Sequence, residues 1–203
     1  MNNKIVNVLA IFFYLVFVNL AQAMTIDYQE GRWSEPMNGL RGRLLIEPRP
    51  KVNNSTIIGV ALELLNVSDH PIMILNNPEL INVELFNGAG KPFESRRDLP
   101  FDGLVPFPEW KLIQPGQSIK FAVESQSAGV PQGVIFIDLY APGDIDRVWT
   151  PDPAVQGSEY FLRATFRQGK NLKDSPPASW NGTLDLPFVK IDEKQIDNRG
   201  EKN

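Results

Sequence analysis

The chain contains no cysteine among its 203 residues. Without a thiol it can form neither disulfide bonds nor thiolate metal sites, and it offers no cysteine for lipid attachment. Small secreted domains use disulfides when their core is too small to hold them, but a domain of this length buries enough apolar surface without them. The sequence therefore predicts a fold held by its hydrophobic residues, which make up 42% of the composition.

Histidine is almost as scarce, since His70 is the only one in the sequence. A zinc site takes three or four protein ligands, mostly His or Cys, so we expect no zinc and no other cofactor. Ser68, Asp69 and His70 are adjacent in "NVSDHP", but the members of a catalytic triad normally converge through the fold. We interpret this segment as a turn whose side-chain oxygens bond the nearby backbone.

Blocks of like charge are absent, and the formal net charge is −4 at pH 7. A weakly acidic chain without a basic tract is poorly suited to a phosphate backbone, so nucleic acid is not an expected partner. Three acidic residues in "PGDIDRVWTPD", Asp144, Asp146 and Asp152, with Asp138 upstream, resemble a calcium loop. Because the glycine and glutamate positions of the EF-hand loop do not match, we expect a solvated polar loop and no metal.

The N-terminal segment "MNNKIVNVLAIFFYLVFVNLAQA" has the layout of a secretory signal peptide. Lys4 precedes an unbroken apolar run of 11 residues, Val8 to Val18, and Ala21-Gln22-Ala23 is a small-x-small cleavage site. As a helix the run is about 16 Å long, against the ~30 Å core of a bilayer. We expect cleavage after Ala23, a periplasmic or secreted bacterial protein, and no stable membrane insertion afterwards; an uncleaved anchor is the alternative.

Alternation in steps of two is the main pattern after this segment. It is clearest in "TIIGVALELLN" (56–66) and "EYFLRATF" (159–166), where apolar side chains recur at every second position. This is the period of a β-strand with one buried face. Turn residues return about every ten positions, which is typical of a sandwich or barrel. The segments 94–110 and 143–158 are rich in turn residues and are predicted as long loops.

The order of these pieces resembles the immunoglobulin-like (fibronectin III-like) sandwich domains of exported bacterial proteins. The likeness covers about residues 40–191 and is carried by "IIGVALELLNVSDHPIMI", "IQPGQSIKF", "EYFLRATF" and "WNGTLDLPFVKI". It implies an all-β, immunoglobulin-like antiparallel β-sandwich of about eight or nine strands. It also implies that Tyr160, near the start of the penultimate strand, bonds back to the nearby chain; an ordinary buried aromatic is the alternative. The Cys pair and central Trp of antibody domains are missing.

The expected domain organisation follows from these segments. Residues 1–23 are the signal peptide, 24–39 an N-terminal arm, 40–191 the β-sandwich domain and 192–203 a flexible charged tail. A weaker likeness, in the Asn-x-Ser-Asp turn at Asn66 and the Pro-Gly turn at Pro115, is to a bacterial proteinase-inhibitor sandwich. It implies proteinase inhibition as an alternative function.

Large aromatic residues in the two long loops are the candidate binding residues: Phe101, Phe107, Trp110 and Trp149. Rigid aromatics on loops at the end of a sandwich suit contact with another protein or a cell-envelope polymer. The alternative is that they fold back and close the open end of the sandwich. We expect an exported, non-enzymatic binding module that acts through loops or edge strands. The alternatives are a proteinase inhibitor, a carbohydrate-active or esterase-type enzyme, and a pilus subunit or its chaperone.

Overall fold

Strands dominate the structure, a computed structural model that describes residues 31–95, 97–100, 108–123, 132, 134–141, 145–151, 159–169 and 175–191. Within these ranges the chain forms eleven strands and one 3₁₀ turn, Pro78–Leu80, with no α-helix. The all-β class is therefore confirmed. The strands are β1 Leu40–Pro48, β2 Thr56–Asn66, β3 Ile72–Asn76, β4 Ile81–Asn87, β5 Arg97–Pro100, β6 Glu109–Ile113, β7 Ser118–Ala122, β8 Ile135–Ala141, β9 Ile145–Trp149, β10 Tyr160–Gln168 and β11 Gly182–Ile191.

The strand count exceeds the prediction because both segments predicted as long loops contain strands. In the first, β5 lies at Arg97–Pro100 and β6 (Glu109–Ile113) begins two residues before the predicted end of the loop; in the second, β9 lies at Ile145–Trp149. All three are short, and β5 pairs only with β9 among the described strands. The partners of β5 and β6 are distant in sequence, whereas β9 pairs with the preceding strand β8.

One sheet has the order β1-β2-β8-β9-β5, and β7 also pairs with β2. β2 is long enough to hold two partners on the same edge. Its first residues, Thr56–Ile58, pair in parallel with β8, and its later residues, Ala61–Leu65, pair antiparallel with β7. The alternation predicted for β2 is confirmed, since Ile58 and Leu64 are 1% and 0% exposed.

Two smaller sheets complete the fold. One has the order β11-β10-β4, with β10 in the centre, and the other is the two-stranded ribbon β3-β6. β10 begins at Tyr160, as predicted, and the alternating residues from Tyr160 to Phe166 are buried. The sheets pack face to face: a Cβ added to Gly42 in β1 would lie 2.6 Å from Leu186 and 2.9 Å from Leu184 in β11. A side chain at Gly42 would therefore intrude between the layers.

Two buried amide side chains attach the β3-β6 ribbon to the rest of the fold. Asn66, at the end of β2, donates from Nδ2 to the carbonyls of Ile113 (2.9 Å) and His70 (2.8 Å). Gln168, at the end of β10, accepts from Leu75 N (2.9 Å) and donates to Trp180 O (2.6 Å). Both are almost fully buried, at 0% and 1% exposure. These amides satisfy backbone groups that would otherwise be buried without partners.

None of the helical structure in the described ranges is long or apolar enough to span a bilayer.

Candidate functional site

The predicted binding residues are distributed over different parts of the fold. Phe101 and Phe107 lie outside the described residues. Trp110 and Trp149 lie in strands β6 and β9 of different sheets, rather than in loops as predicted. Trp149 is 4% exposed and its Nε1 donates to the carbonyl of Phe93 at 3.3 Å. Trp110 is half-buried on the ribbon. Their role in binding stays a prediction.

The Ser68-Asp69-His70 segment is a turn, as predicted. Asn66 Oδ1 accepts two hydrogen bonds from Ser68, one from its Oγ at 2.6 Å and one from its backbone N at 2.9 Å. His70 Nδ1 lies 2.9 Å from Asp69 Oδ1, and both side chains are well exposed. The hydrogen bond from His70 lowers the pKa of the Asp69 carboxyl, with smaller contributions from its own backbone and from the nearby imidazole charge. Because the serine hydroxyl is held by Asn66, the arrangement is that of a turn and not of a hydrolytic triad.

An open cleft of about 390 Å³ lies between β4 and β9. Its polar lining includes two carboxylates, Glu84 and Glu94, and the guanidinium of Arg147. Among the described residues no three His, Asp or Glu side chains are grouped closely enough to hold a metal ion. The full lining is Val83, Glu84, Pro92, Phe93, Glu94, Ser95, Arg147 and Trp149.

The outer edge of β4, which borders this cleft, is already covered. Arg147 Nη1 donates to Asn82 Oδ1 at 2.7 Å and lies 3.5 Å from the carbonyl of Val83. Further along, Phe93 N donates to Leu85 O at 2.8 Å. These groups occupy positions where another strand would pair, so β4 is closed to strand addition over this stretch.

Three other exterior strands, β1, β3 and β11, have edges that are interrupted or partly covered, while β5 and β7 each pair with one strand among the described residues. On β1, Gly42 O accepts from Ser34 N at 2.8 Å. β11 contains Pro187 at a register shift in its pairing with β10, and a proline and a bulge both blunt an edge. The outer side of β3 contacts the chain just before β11, where Met73 N donates to Ala178 O and Met73 O accepts from Trp180 N. This segment therefore partly covers the outer side of β3, an edge strand of its two-stranded sheet.

The outer edge of β6 differs from these edges. β6 pairs with β3 on one side, and in the described part of the chain no strand pairs with its other side. Met73 and Leu75 direct their backbone groups away from β6, so their register partners Leu112 and Trp110 form non-hydrogen-bonded pairs with them. The N–H and C=O groups of Trp110 and Leu112 therefore point outward, as on a strand ready to accept a partner.

Apolar side chains cover the outer face of the β3-β6 ribbon. Ile72, Ile74 and Ile113 enter the core, so the alternating residues face the other way. Leu112 is 49% exposed. The other large exposed hydrophobic residues in the described ranges lie outside the strands. We call this set of residues the ribbon face; its members are Met73, Leu75, Trp110 and Leu112.

The outer edge of β6 also carries two side chains of opposite charge. Glu109 and Lys111 lie on the side of β6 opposite to the ribbon face, and Lys111 Nζ is 2.7 Å from Glu109 Oε2. Their side chains are 65% and 42% exposed, so solvent screens this ion pair and it adds little to stability. Both charges remain accessible to a strand that pairs with β6.

Comparisons of the chain with protein-family models, with curated proteins and with solved structures gave no match. The fold and the site together define an all-β protein of packed sheets in which the outer edge of β6, beside the exposed Leu112, is unpaired within the described residues. The functional reasoning below therefore depends on the geometry of β6 and on the N-terminal sequence.

Proposed function

We propose that this chain is an exported, non-enzymatic binding module that holds an extended segment of another protein chain along β6. The single observation that carries the proposal is the outer edge of β6, with outward backbone groups at Trp110 and Leu112 and with the Leu112 side chain exposed on the ribbon face. Export is supported by the apolar run from Val8 to Val18 and the Ala-Gln-Ala site after it.

The strand order supports an immunoglobulin-like arrangement for the module. In such domains the penultimate strand lies between the last strand and an earlier one, and the remaining strands form the facing sheet. Here β10 lies between β11 and β4, while β1 and β2 belong to the facing sheet. Sandwiches of this kind serve many functions, so the fold supports the architecture and the site alone supports the activity.

Backbone pairing would give the interaction its affinity. An added strand exchanges hydrogen bonds with the N–H and C=O groups of Trp110 and Leu112, as in peptide recognition by strand addition. Each such bond contributes a net ~0.5–1.5 kcal/mol, because water is displaced from both partners. Four bonds on this short edge give a modest total, so side-chain contacts must add to it.

The ribbon face supplies those side-chain contacts. Leu112 is half-exposed, and burying a leucine side chain completely contributes about 1.5–3 kcal/mol. Trp110 offers a large area with few rotatable bonds, a property of residues that dominate binding energy at interfaces. A partner strand with apolar residues on the same side would cover both side chains at once.

Site-specific photo-crosslinking in the cells that export the protein tests the proposal. A photoreactive amino acid replaces Leu112, and a matched variant carries it at Val67, which is similarly exposed (44% against 49%) but lies in the turn after β2. We expect an adduct with a defined protein chain from position 112 and none from position 67. Mass spectrometry then identifies the chain and the residues bonded to position 112.

Two substitutions separate the backbone and side-chain contributions. Leu112→Pro removes the outward N–H while leaving the bonds between β6 and β3 in place, and Leu112→Ser keeps the N–H but removes the apolar side chain. Each should weaken formation of an adduct from a photoreactive residue placed at Trp110. An adduct of equal yield at positions 112 and 67, or none at either, would contradict the proposed function.

A further inference from the structure

The sequence of β6 restricts the strand that can pair with it. Glu109 and Lys111 lie on one side, and Trp110 and Leu112 lie on the other. An antiparallel partner gains two opposite-charge pairs if it places a base opposite Glu109 and an acid opposite Lys111. A second copy of β6 meets both conditions in one register.

We propose that the strand held at this edge is β6 of a second copy of the chain, paired antiparallel about a twofold axis through Trp110. This inference rests on the proposed function, because it uses the same edge and identifies its occupant. In this register Trp110 lies opposite Trp110 of the second copy. Glu109 of each copy lies opposite Lys111 of the other, which gives two complementary charge pairs.

The direction of the backbone groups allows this register. A hydrogen-bonded pair requires outward-pointing groups on both strands, and Trp110 provides them in each copy. Leu112 N–H then reaches the carbonyl of Pro108 in the second copy. Pro108 has no N–H to donate, so it contributes one bond instead of two. By symmetry the register yields four backbone hydrogen bonds, together with the two Glu109–Lys111 pairs.

The neighbouring symmetric registers are less favourable. An axis through Lys111 also forms four backbone bonds, but it sets Lys111 directly opposite Lys111 of the second copy and leaves Glu109 opposite Ile113. Like charges directly opposite on adjacent strands are destabilising. An axis through Leu112 brings Trp110 against Gln114 and runs into the Pro115-Gly116 turn, where the strand ends. The charge pattern therefore selects the axis at Trp110.

The absence of cysteine from the chain makes the register directly measurable. In a Trp110→Cys variant the two new thiols face each other with Cα atoms about 5.5 Å apart, within reach of a disulfide. In Leu112→Cys, the matched control, they are about 13 Å apart along the ladder and cannot join. We expect that mild oxidation of the purified protein with diamide produces a covalent dimer from Trp110→Cys and not from Leu112→Cys.

Charge exchange provides an independent test by analytical ultracentrifugation. Glu109→Lys alone and Lys111→Glu alone each replace two attractive pairs with two repulsive ones, so each should raise the dimer dissociation constant about tenfold. The double variant should recover the wild-type value, and an equimolar mixture of the two single variants should form a heterodimer. Lys91→Glu makes the same charge change as Lys111→Glu, but in the exposed turn after β4. It should leave the dissociation constant unchanged.

The outcomes distinguish this inference from the proposed function. A covalent dimer from Lys111→Cys in place of Trp110→Cys, or single charge variants that dimerise like wild type, would overturn the register proposed here. A monomer at every concentration would overturn the second copy as occupant. If the photoreactive residue at 112 still joins a different protein, the proposed function stands without this inference; if it joins nothing, both fail.

Discussion

The β11-β10-β4 sheet and the β3-β6 ribbon are held in the fold by different interactions. β10 pairs along most of its length with a strand on each side, from Tyr160 to Gln168, and most of its side chains are buried. The ribbon has one ladder of five residue pairs and is tied to the rest by the amides of Asn66 and Gln168. The three-stranded sheet is therefore held by two backbone ladders, whereas the ribbon has one ladder and is attached by these amides, by two backbone hydrogen bonds of Met73 and by the isoleucines that enter the core.

This difference shows why the exposed edge occurs on the ribbon. If both faces of an edge strand were buried in the core, the strand would expose no apolar side chain for a partner to contact. The ribbon divides its residues, with Ile72, Ile74 and Ile113 in the core and Leu112 exposed on the other face. In the proposed function, core packing and partner binding therefore use opposite faces of the same two strands.

The largest expected difference between the two regions concerns a core aromatic. Phe166 in β10 is fully buried and stacks on Trp180 with ring centroids 5.5 Å apart. Phe166→Ala should lower the free energy of unfolding by about 3–5 kcal/mol, through lost burial and a residual cavity. Leu112→Ala on the ribbon face should change it by only about 0.5 kcal/mol. Urea denaturation of the two variants measures both values, and similar losses would show that the ribbon face is part of the core.

A smaller and more local effect is expected where the ribbon is attached. Gln168→Leu leaves the N–H of Leu75 and the carbonyl of Trp180 without their present partner, at about 1–3 kcal/mol for each buried group. Amide hydrogen exchange should accelerate in β3 and β6 before it does in β10. Gln114→Leu in the exposed turn after β6 is the control. Uniform acceleration throughout the protein would instead mean that the ribbon and the three-stranded sheet open as one unit.

The smallest effect is a titration in the turn between β2 and β3. The hydrogen bond from His70 lowers the pKa of Asp69, so the folded protein favours the carboxylate. Any stabilisation is complete above the ordinary pKa of the group and is lost as the pH falls through the lowered value. Because the Asp69 side chain is 99% exposed, we expect no measurable change in the unfolding midpoint. Carboxyl NMR should show the pKa of Asp69 rising in His70→Ala; an unchanged pKa would contradict the bond.

Much of the strand pattern could be read from local sequence. The bounds of β2 agree with prediction because turn residues flank it, with Asn53-Asn54 before it and Ser68-Asp69 after it. The predicted Pro-Gly turn is confirmed as well: Gly116 has a φ of 75° and Gln117 N donates to Gln114 O at 3.0 Å. A positive φ at this position is what a type II turn requires.

Pairing between strands was not accessible from the same patterns. β6 and β7 flank the Pro115-Gly116 turn, yet β6 pairs with β3 and β7 pairs with β2. A turn signal specifies a local reversal and does not specify which sheet each arm joins. The edge of β6 was missed for the same reason, since the exposure of Leu112 depends on which face of the ribbon meets the core. The signal that could have indicated it is the alternation of charged and apolar residues in "EWKLI".

The position of β10 in the chain has a consequence for the order in which the protein can be assembled. This strand is the centre of its sheet, yet it pairs Tyr160 with Asn87 and Phe166 with Ile81. A growing polypeptide that stops before Tyr160 has no strand to pair with β4, so this three-stranded sheet can form only after β10 has been made, whereas the ladders β1-β2 and β3-β6 need no later residue.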